Sequence, residues 1–344
     1  MTTEPVQAPR RPVTIRDVAA AADVSPKTVS NVVNAYVHVH PETRRRVQEV
    51  IDALGYRPSA VGRQLRSGRT GMVALAVPTI AAPYFADLAS HLAGRARERG
   101  LVLAVEQTDG QLEREREVAE GRPVRFADGL IFSPLEMSDT ELAAPHPDTA
   151  LVLIGEHAGP EVPVDRVGIE STGVARLAVE HLLSTGRTRI AFLGWKDATH
   201  NTARQRLAGY RAALADAGLP DDAGLVPHVG DWTSRDGHEA TAALLGERPD
   251  VDAVFAADDQ MAHGALAALR EAGRRVPDDV AVVGVDDVPA GRYSSPSLST
   301  VAIDRGFIAE QALALLVSRL EDPTLPPRHV ATPYRLVVRE SSGS

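Results

Sequence analysis

Residues 14–34 read TIRDVAAAADVSPKTVSNVVN, a stretch that predicts two short helices joined by a tight turn. Thr14 and Asp17 have the spacing of a capping box, with Asp in place of the usual Glu, so the first helix begins there. Ser25 is a favourable N-cap for the second helix, and Pro26 suits its first turn. Two helices joined in this way form a helix-turn-helix motif, whose second helix can enter the major groove of DNA.

The second helix separates apolar from polar side chains. Its valines at positions 29, 32 and 33 recur at helical spacing and predict a buried face. The outward-facing side chains suit base edges in a groove and comprise Lys27, Thr28, Asn31 and Asn34. The pattern favours DNA binding, and a three-helix packing module is the alternative.

A third helix is predicted to follow Pro41 and to end at Gly55. Its inward face comprises Val47, Val50, Ile51 and Leu54. Three consecutive arginines, Arg44, Arg45 and Arg46, lie near its start. Phosphate contacts from such arginines fix the register of a protein on DNA without reading the sequence.

Charge is distributed unevenly along the chain. Residues 1–71 hold 11 Lys and Arg against 6 Asp and Glu, a balance of +5, whereas the remainder holds 26 against 40, a balance of −14. A basic head on an acidic body indicates that only the head meets a polyanion, and chance variation is the alternative explanation.

The composition is that of a globular protein. Of the 344 residues, 44% are hydrophobic and 24% are charged. No apolar run is long enough to span a bilayer, and no apolar core follows the N-terminal arginines as it would in a secretory signal. The absence of cysteine excludes disulfides, thiol catalysis and cysteine-bound zinc. We therefore expect a cytoplasmic protein.

From residue 72 onward, apolar strands alternate with amphipathic helices. The predicted strands include MVALAVP, LVLAVEQ, GLIFSP, ALVLIGE, RIAFLGW, GLVPHVGD, AVFAAD and VAVVGVDD, and the predicted helices cover residues 84–99, 171–185, 204–217, 236–245 and 260–272. This alternation predicts parallel sheets with helices on both faces, in two similar lobes. No glycine-rich phosphate motif follows a strand, which argues against a nucleotide enzyme, and no cofactor is expected.

Acidic residues follow several of these strands, at the strand ends where such folds bind ligands. Glu156 follows LVLIG, and acidic pairs follow AVFAA and VAVVGV. In the first pair, we predict that Asp258 hydrogen-bonds a ligand and that Asp259 caps a helix or turn. In the second pair, we predict that Asp286 hydrogen-bonds a ligand and that Asp287 caps a helix or turn. A metal-dependent enzyme is the alternative, but the histidines lack HExxH-type spacing, so neither a metal site nor catalytic residues are expected.

The segment from VTIRDVAAAADVSPKTVSNVVN through HPETRRRVQEVIDALGYRPSAVGRQLRSGRTGMVALAVP resembles the start of LacI/GalR-family transcriptional regulators. The resemblance implies a DNA-contacting set that comprises Thr14, Ser25, Lys27, Thr28, Asn31, Asn34, His38 and Tyr56. Within this set, the resemblance makes Lys27 and Asn31 the base readers. His40 departs from the family, which often has a capping serine there.

Residues 58–67 match the hinge helix of that family, with Ser59 as its cap. Paired hinge helices of a dimer open the minor groove, and the resemblance makes Leu65 the side chain that wedges between base pairs. Gly62 stands where the family usually has alanine. Because glycine costs a helix about 1 kcal/mol, we expect a hinge that is more readily disordered away from DNA.

The rest of the chain is similar to the effector domain of the same family, which resembles periplasmic sugar-binding proteins and holds a small molecule between its lobes. Matching motifs include PYFADL, GRTRIAFLG, RLAGYRAAL and SPSLSTVAID. The expected effector-binding residues are Tyr84, Phe85, Glu156, His200, Thr202, Arg206, Trp232, Asp258 and Asp286. The forked donors of Arg206 suit vicinal hydroxyls or a carboxylate. Trp232 suits the flat face of a sugar or a planar base, and a core position is its alternative.

Three departures from the family shape the expected ligand. Ala82 stands where asparagine is common, Glu170 and Ser171 replace a frequent Asp-Asn, and Asp258 replaces a frequent asparagine. A pocket rich in hydrogen-bond acceptors suits a polyhydroxyl molecule. We therefore expect a mono- or oligosaccharide effector, and purine-like, amino-sugar or other small ligands are the alternatives.

The predicted architecture is an N-terminal all-α helix-turn-helix domain plus hinge helix, followed by a two-lobed α/β periplasmic-binding-protein-like domain with parallel sheets. The predicted boundaries are a disordered tail at 1–12, a DNA-binding domain at 13–57, a hinge and linker at 58–71 and an effector domain at 72–340. Lobe 1 is assigned residues 72–164 and 297–327, lobe 2 is assigned residues 167–291 and 330–340, and the chain is expected to cross between them near 163–169, 289–299 and 325–333.

The expected assembly is a homodimer on a roughly palindromic double-stranded operator. The family's tetramers use C-terminal heptads, which the closing RESSGS lacks, so a dimer is favoured. Repression with release of DNA by a sugar is the family's commoner mode. The rival class is a periplasmic-type solute-binding protein, against which the helix-turn-helix pattern argues.

Overall fold

The computed structural model describes residues 13–33, 36–56, 69–144, 149–156, 159, 161–196 and 201–343. The chain forms two compact units, Met1–Thr70 and Gly71–Ser344. The predicted N-terminal tail and the hinge with Ser59, Gly62 and Leu65 lie outside the described residues, as do Asn34 and His200.

The first unit contains the three predicted helices, α1 (Ile15–Ala21), α2 (Pro26–Val33) and α3 (Pro41–Leu54). The predicted capping box is confirmed, because the Thr14 side chain accepts from the Asp17 amide and Asp17 accepts from the Thr14 amide at 2.8 Å. The predicted cap at Ser25 is confirmed by a hydrogen bond of 3.0 Å from the Thr28 amide.

The core of this unit consists of small apolar side chains and comprises Val18, Ala19, Ala22, Val29, Val32 and Val47. The expectation that Leu54 faces inward is wrong, since it is 40% exposed. Gly55 ends α3 with a φ of 62°, a left-handed turn that favours glycine. After this turn, Tyr56 packs against the core and its amide donates to the Ile51 carbonyl at 3.0 Å, so Tyr56 takes the inward position expected of Leu54.

The first sheet of the second unit has the strand order β10–β5–β4–β3–β1–β2, and its strands are parallel. Its strands are β1 (Met72–Val77), β2 (Val102–Gln107), β3 (Gly129–Phe132), β4 (Ala150–Ile154), β5 (Asp165–Gly168) and β10 (His329–Ala331). The helices of this lobe are α4 (Pro83–Glu98), α5 (Leu112–Ala119), α6 (Asp139–Leu142) and α11 (Arg305–Glu321).

The second sheet has the order β11–β9–β8–β7–β6. Its strands are β6 (Ile190–Leu193), β7 (Ala253–Ala256), β8 (Ala281–Asp286), β9 (Ser299–Ile303) and β11 (Tyr334–Val337). Its helices are α7 (Ser171–Ser184), α8 (Asn201–Asp216), α9 (Ser234–Glu247) and α10 (Asp259–Glu271). The predicted fold class is confirmed, with one antiparallel exception where β11 pairs with β9.

The predicted strand GLVPHVGD is wrong. Its residues form a 3-10 turn at Ala223–Leu225 and a single bridge between Trp195 and His228. Pro227 has no amide hydrogen for a ladder, and Asp222 caps the turn by accepting from the Gly224 amide at 2.9 Å.

The chain crosses between the lobes after β5, after β9 and after β10. The expectation that lobe 1 begins again at residue 297 is wrong, because β9 pairs with β8 in the second sheet, with Val283 opposite Ser299. The buried apolar and hydroxyl residues of STVAI extend that sheet by one strand before the chain crosses. The second crossing therefore follows Ile303 and leads directly into α11.

Aromatic stacking marks the centre of the second lobe, where Phe192 lies 5.4 Å from Phe255 and 5.7 Å from Tyr210 between ring centroids. Among the described residues, no helix has the length and apolar character to cross a membrane.

Candidate functional site

The polar face of α2 is the candidate DNA surface of the first unit. Lys27 is exposed, and Thr28 and Asn31 are partly exposed, while Val29 and Val32 are buried in the core. The exposed face thus combines an ammonium, a hydroxyl and an amide. These groups can donate to and accept from base edges in a major groove.

Other predicted DNA-contacting residues also stabilise this unit. Thr14 and Ser25 cap helices, and the Ser25 and Thr28 hydroxyls lie 2.9 Å apart. Tyr56 is half-buried against the core. His38 is exposed and lies edge-on to Tyr36, with 5.4 Å between ring centroids.

The three arginines of α3 differ in their surroundings. Arg44 donates from Nη2 to the Tyr36 carbonyl at 2.6 Å, and Arg45 forms an exposed pair with Glu49 at 2.8 Å. Arg46 is exposed. His40 precedes α3 without a side-chain capping bond, as its departure from serine indicates.

A cavity of about 490 Å³ lies between the lobes of the second unit. Its walls come from segments that follow strands of both sheets, which is where folds of this class bind ligands. The structure brings eight of the nine predicted effector residues to its surface: Tyr84, Phe85, Glu156, Thr202, Arg206, Trp232, Asp258 and Asp286. His200 is the ninth and lies outside the described residues.

Arg206 is the buried cation of this cavity. Its Nη2 lies 3.4 Å from Glu156 Oε1, and both side chains are less than a tenth exposed. Its Nη1 donates to the Ala257 carbonyl, and Ser171 donates to Glu156 at 3.0 Å. The Arg206 guanidinium lies 5.3 Å from the Trp232 ring centroid, so the cation also contacts an aromatic face.

Aromatic side chains supply the apolar walls. Trp232 is half-buried, and its Nε1 donates to the Gly194 carbonyl at 3.1 Å, which fixes the ring plane. Tyr84 and Phe85 pack edge to face with 5.0 Å between centroids. Burial and the nearby carboxylates of Asp286 and Glu156 raise the pKa of the Tyr84 phenol, so this hydroxyl stays protonated and can donate.

The predicted roles of the first acidic pair are partly wrong. Asp258, not Asp259, caps α10, because it has an extended backbone directly before the helix and accepts from the Met261 amide at 2.8 Å. Asp259 is the first helical residue and points into the protein. It accepts from Thr300 Oγ1 at 2.7 Å and from the Val288 amide at 2.8 Å.

The second acidic pair also differs from the prediction. Asp287 caps no helix and instead binds the guanidinium of Arg339. Asp286 lines the cavity, and no hydrogen bond from the described residues reaches its carboxylate. Both residues have left-handed backbones, with φ of 111° and 56°, an unfavourable conformation for side chains other than glycine that clusters at functional sites.

Burial changes the protonation of these carboxyl groups. It raises the pKa of Asp258 to about 6 and the pKa of Asp259 to about 7. Burial also raises the pKa of Asp286 well above its ordinary value, against the opposing effect of the Arg206 charge. The cavity therefore holds carboxyl groups that lack full compensation of their charge.

Arg305 is a residue that the sequence reasoning missed. It begins α11 directly after the second crossing, and its Nη1 and Nη2 donate to the carbonyls of Asp286 and Asp287. Its Nε donates to Asp87 in α4 at 2.6 Å, and its guanidinium lies 6.0 Å from the Tyr84 ring centroid. The Arg305 side chain thus binds the backbone of the two left-handed residues, Asp286 and Asp287, and contacts both lobes.

Further cavity residues that the sequence reasoning did not single out include Ser133, Glu136, Lys196, Asp231 and Gln260. The loop of residues 133–136 is held by the buried carboxylate of Glu115, which accepts from the amides of Leu135 at 2.7 Å, Glu136 at 2.9 Å and Met137 at 3.0 Å. No group of three or more histidine, aspartate or glutamate side chains suited to a metal ion occurs in the described part of the chain.

Comparison with known proteins gives a consistent assignment. Residues 14–59 match the family model "Bacterial regulatory proteins, lacI family", and residues 179–342 match a periplasmic binding protein-like domain. The chain is 38% identical to the HTH-type transcriptional regulator CelR of Thermobifida fusca, over 96% of this chain and 98% of that protein.

Two solved structures show the same likeness. One is a complex of the transcriptional regulator CelR with cellobiose, with 34% identity, a TM-score of 0.70 and coverage of 96% of this chain and 100% of the other. The second is the Lac repressor dimer bound to operator and the anti-inducer ONPF, with 27% identity, a TM-score of 0.86 and coverage of 97% and 100%.

Proposed function

The chain belongs to the LacI family of bacterial regulatory proteins, and on that premise we propose that it is a repressor whose operator affinity is controlled by a sugar bound between its two lobes. The observation that carries the proposal is the cavity in which a buried Arg206–Glu156 pair, the Trp232 ring and the Asp286 carboxylate converge. An aromatic face beside fixed acceptors and donors is the chemistry that a polyhydroxyl ring needs.

The DNA-binding half of the proposal rests on α2. Lys27 and Asn31 are the proposed base readers, with Thr28 beside them, and Asn34 and His38 are proposed to contact the DNA at the groove edge. Arg46 is the proposed phosphate contact, because it is exposed near the start of α3. A homodimer would present two such helices to a roughly palindromic operator, with Leu65 of each hinge in the minor groove. The Lac repressor, a relative of the same fold, is a dimer on its operator.

The effector class is supported by chemistry and by likeness. The CelR complex contains cellobiose, so a relative at 34% identity takes a disaccharide. The present cavity has acceptors in Asp258, Asp286 and Glu156, and donors in Arg206 and Thr202. We infer a mono- or oligosaccharide, bound without a catalytic step, a metal or a cofactor, in a cytoplasmic regulator.

The proposed mechanism couples the cavity to the hinge. A sugar that binds one arrangement of the lobes more tightly favours that arrangement, and the spacing of the two hinges in the dimer changes with it. Operator affinity then changes by the difference in sugar affinity between the two states, typically about 1–3 kcal/mol.

A thermal-shift screen of the full-length protein against mono- and oligosaccharides, with nucleobases as controls, tests this function. A sugar at about 100 times its Kd adds roughly 2.7 kcal/mol to the stability of the domain that binds it. We expect a shift with a sugar that Arg206→Ala abolishes. A shift with nucleobases alone would replace the sugar class by a planar base.

A further inference from the structure

The cavity has an excess of acidic side chains. Among the described residues, six acidic side chains line it against two basic side chains, Lys196 and Arg206. The acidic residues are Asp109, Glu136, Glu156, Asp231, Asp258 and Asp286. A site with this excess favours a ligand of the opposite charge, provided that the local cations do not already compensate it.

The local cations compensate three other members of this set. Lys196 lies 3.2 Å from Asp231 at the rim, Arg114 binds Asp109, and Arg206 pairs with Glu156. In the described part of the chain, no basic side chain lies within ion-pair distance of Asp258 or Asp286.

Both of these aspartates are more than nine-tenths buried, Asp258 at 9% and Asp286 at 8% exposure. The Asp258 carboxylate accepts from the Met261 amide as a helix cap and is also hydrogen-bonded by the backbone and side chain of Gln260, but all of these donors are neutral. Within the described ranges, the Asp286 carboxylate receives no hydrogen bond at all. A buried carboxylate that faces a cavity without a partner is expected to meet its partner on the ligand.

The hydrogen bonds that the two neighbouring guanidinium groups form within the described residues all go to partners other than Asp258 and the Asp286 carboxylate. Arg206 donates to the Ala257 carbonyl, to Glu156 and, at 3.4 Å, to Ser171. Arg305 donates to Asp87 and to two backbone carbonyls. Both charges reduce the repulsion between the aspartates from a distance, but neither guanidinium forms an ion pair with Asp258 or Asp286 in the described part of the chain.

We propose that the effector carries a protonated amine that binds between Asp258 and Asp286, so that an amino sugar is the ligand class this cavity selects. This inference rests on the proposed function of the cavity as a sugar site. An ammonium offers three hydrogen-bond donors and one positive charge, whereas a hydroxyl offers one donor and no charge. Only the amine supplies hydrogen bonds and charge compensation together.

The protonation of the two carboxyl groups agrees with this assignment. Burial raises the pKa of Asp258 to about 6 and raises the pKa of Asp286 well above its ordinary value. An ammonium would favour the ionised carboxylates. Binding of an amine should therefore release protons to the buffer, and binding of the neutral sugar should not.

Isothermal titration calorimetry of the full-length protein near neutral pH tests the proposal with matched sugars. The pairs are D-glucosamine against D-glucose, and the β-1,4-linked glucosamine disaccharide against cellobiose, with the N-acetylated forms as uncharged controls of similar size. We expect the amine of at least one pair to bind about tenfold or more tightly than its neutral partner, as desolvated charge pairs do.

The variants Asp258→Asn and Asp286→Asn are nearly isosteric and should remove most of that advantage, while the affinity for neutral sugars changes less. Asparagine also caps helices, so the Asp258 variant keeps its cap. Asp221→Asn, an exposed change outside the cavity, is the control and should leave the advantage intact. Thermal unfolding of each variant without sugar establishes that it is folded.

The outcomes separate the two proposals. If sugars bind but the neutral member of each pair binds as tightly as its amine, or if the advantage of the amine survives in both Asn variants, the amine inference is overturned and the sugar-effector function stands. If no sugar of either kind binds, both are overturned.

Discussion

Arg305 and Asp87 form a partly buried ion pair, with 2.6 Å between Arg305 Nε and Asp87 Oδ2, at the point where the chain passes from β9 into α11. The pair lies within the first lobe, but the other two nitrogen atoms of the same guanidinium donate to the carbonyls that end β8 in the second lobe. Each lobe therefore depends on this side chain for its position relative to the cavity.

Replacing Arg305 with alanine should destabilise the second unit by about 2–4 kcal/mol, because it leaves Asp87 and two carbonyls without their donor. Urea unfolding of the full-length protein measures this change. Arg95→Ala is the matched control, since Arg95 forms exposed pairs with Glu98 and Glu310 and should cost less than about 1 kcal/mol. Equal costs for the two variants would contradict the assigned role.

Glu115→Ala should loosen one wall of the cavity. The buried carboxylate receives three backbone amides of residues 135–137, and its removal leaves them without acceptors at a cost of about 2–4 kcal/mol. Hydrogen exchange should quicken at these amides before it quickens in β1. Glu113→Ala, whose side chain is 81% exposed, is the control and should leave exchange unchanged.

Stability should depend on pH through the buried aspartates. Their pKa values are raised in the folded protein, so their contribution is fully present below the unfolded value near 4 and is lost as pH rises through about 6 for Asp258 and about 7 for Asp259. The charged groups that face this cluster are Arg206, Arg305, Asp286 and Asp287.

Asp286→Asn should therefore flatten the fall in stability as pH rises above the unfolded value near 4, because it removes a carboxylate whose ionisation the fold opposes. Unfolding free energies measured across this range test the sign. Asp250→Asn provides the comparison. Arg189 lowers the pKa of that exposed carboxyl, so its contribution to stability is lost as pH falls rather than as pH rises. A steeper fall in the Asp286 variant would refute the assignment.

Measurements of DNA affinity and sequence selectivity should distinguish side chains that contact bases from side chains that contact phosphates. Operators selected from a random duplex library provide the substrate. Lys27→Ala and Asn31→Ala should each cost about 1–3 kcal/mol and relax the preference at particular base pairs. Arg46→Ala should weaken binding to all sequences alike. It should also reduce the salt dependence of the binding constant by the amount that corresponds to about one phosphate contact. Unchanged selectivity in both α2 variants would contradict the proposed readers.

The helix-turn-helix was predictable from sequence because its signals are local. A capping box at Thr14, a cap at Ser25, a left-handed glycine at position 55 and valines at helical spacing all fall between residues 14 and 55. Leu54 is the exception, because its exposure depends on the path of the chain after Gly55. Residue spacing does not predict that path, and Tyr56 packs against the core instead of Leu54.

The cavity was predictable as a set of residues but not as a set of roles. Strand ends and the family resemblance identify Arg206, Trp232 and Asp286. The choice between Asp258 and Asp259 as the helix cap depends on the backbone conformation of one residue. The sequence does not predict that conformation. Arg305 lies in a helix whose apolar residues occupy more than one face, and its partners are backbone carbonyls that leave no sequence signal.

The corner formed by Asp286 and Asp287 coincides with the place where the chain changes lobes, since Arg305 holds it from the first residue after the crossing. Atoms near an axis of rotation move little, and atoms far from it move in proportion to their distance. A molecule that contacts this corner therefore acts close to the point where the chain passes between the lobes. If the lobes rotate about this crossing, a displacement of a fraction of an ångström at the corner corresponds to a larger one at the outer surface of the lobes.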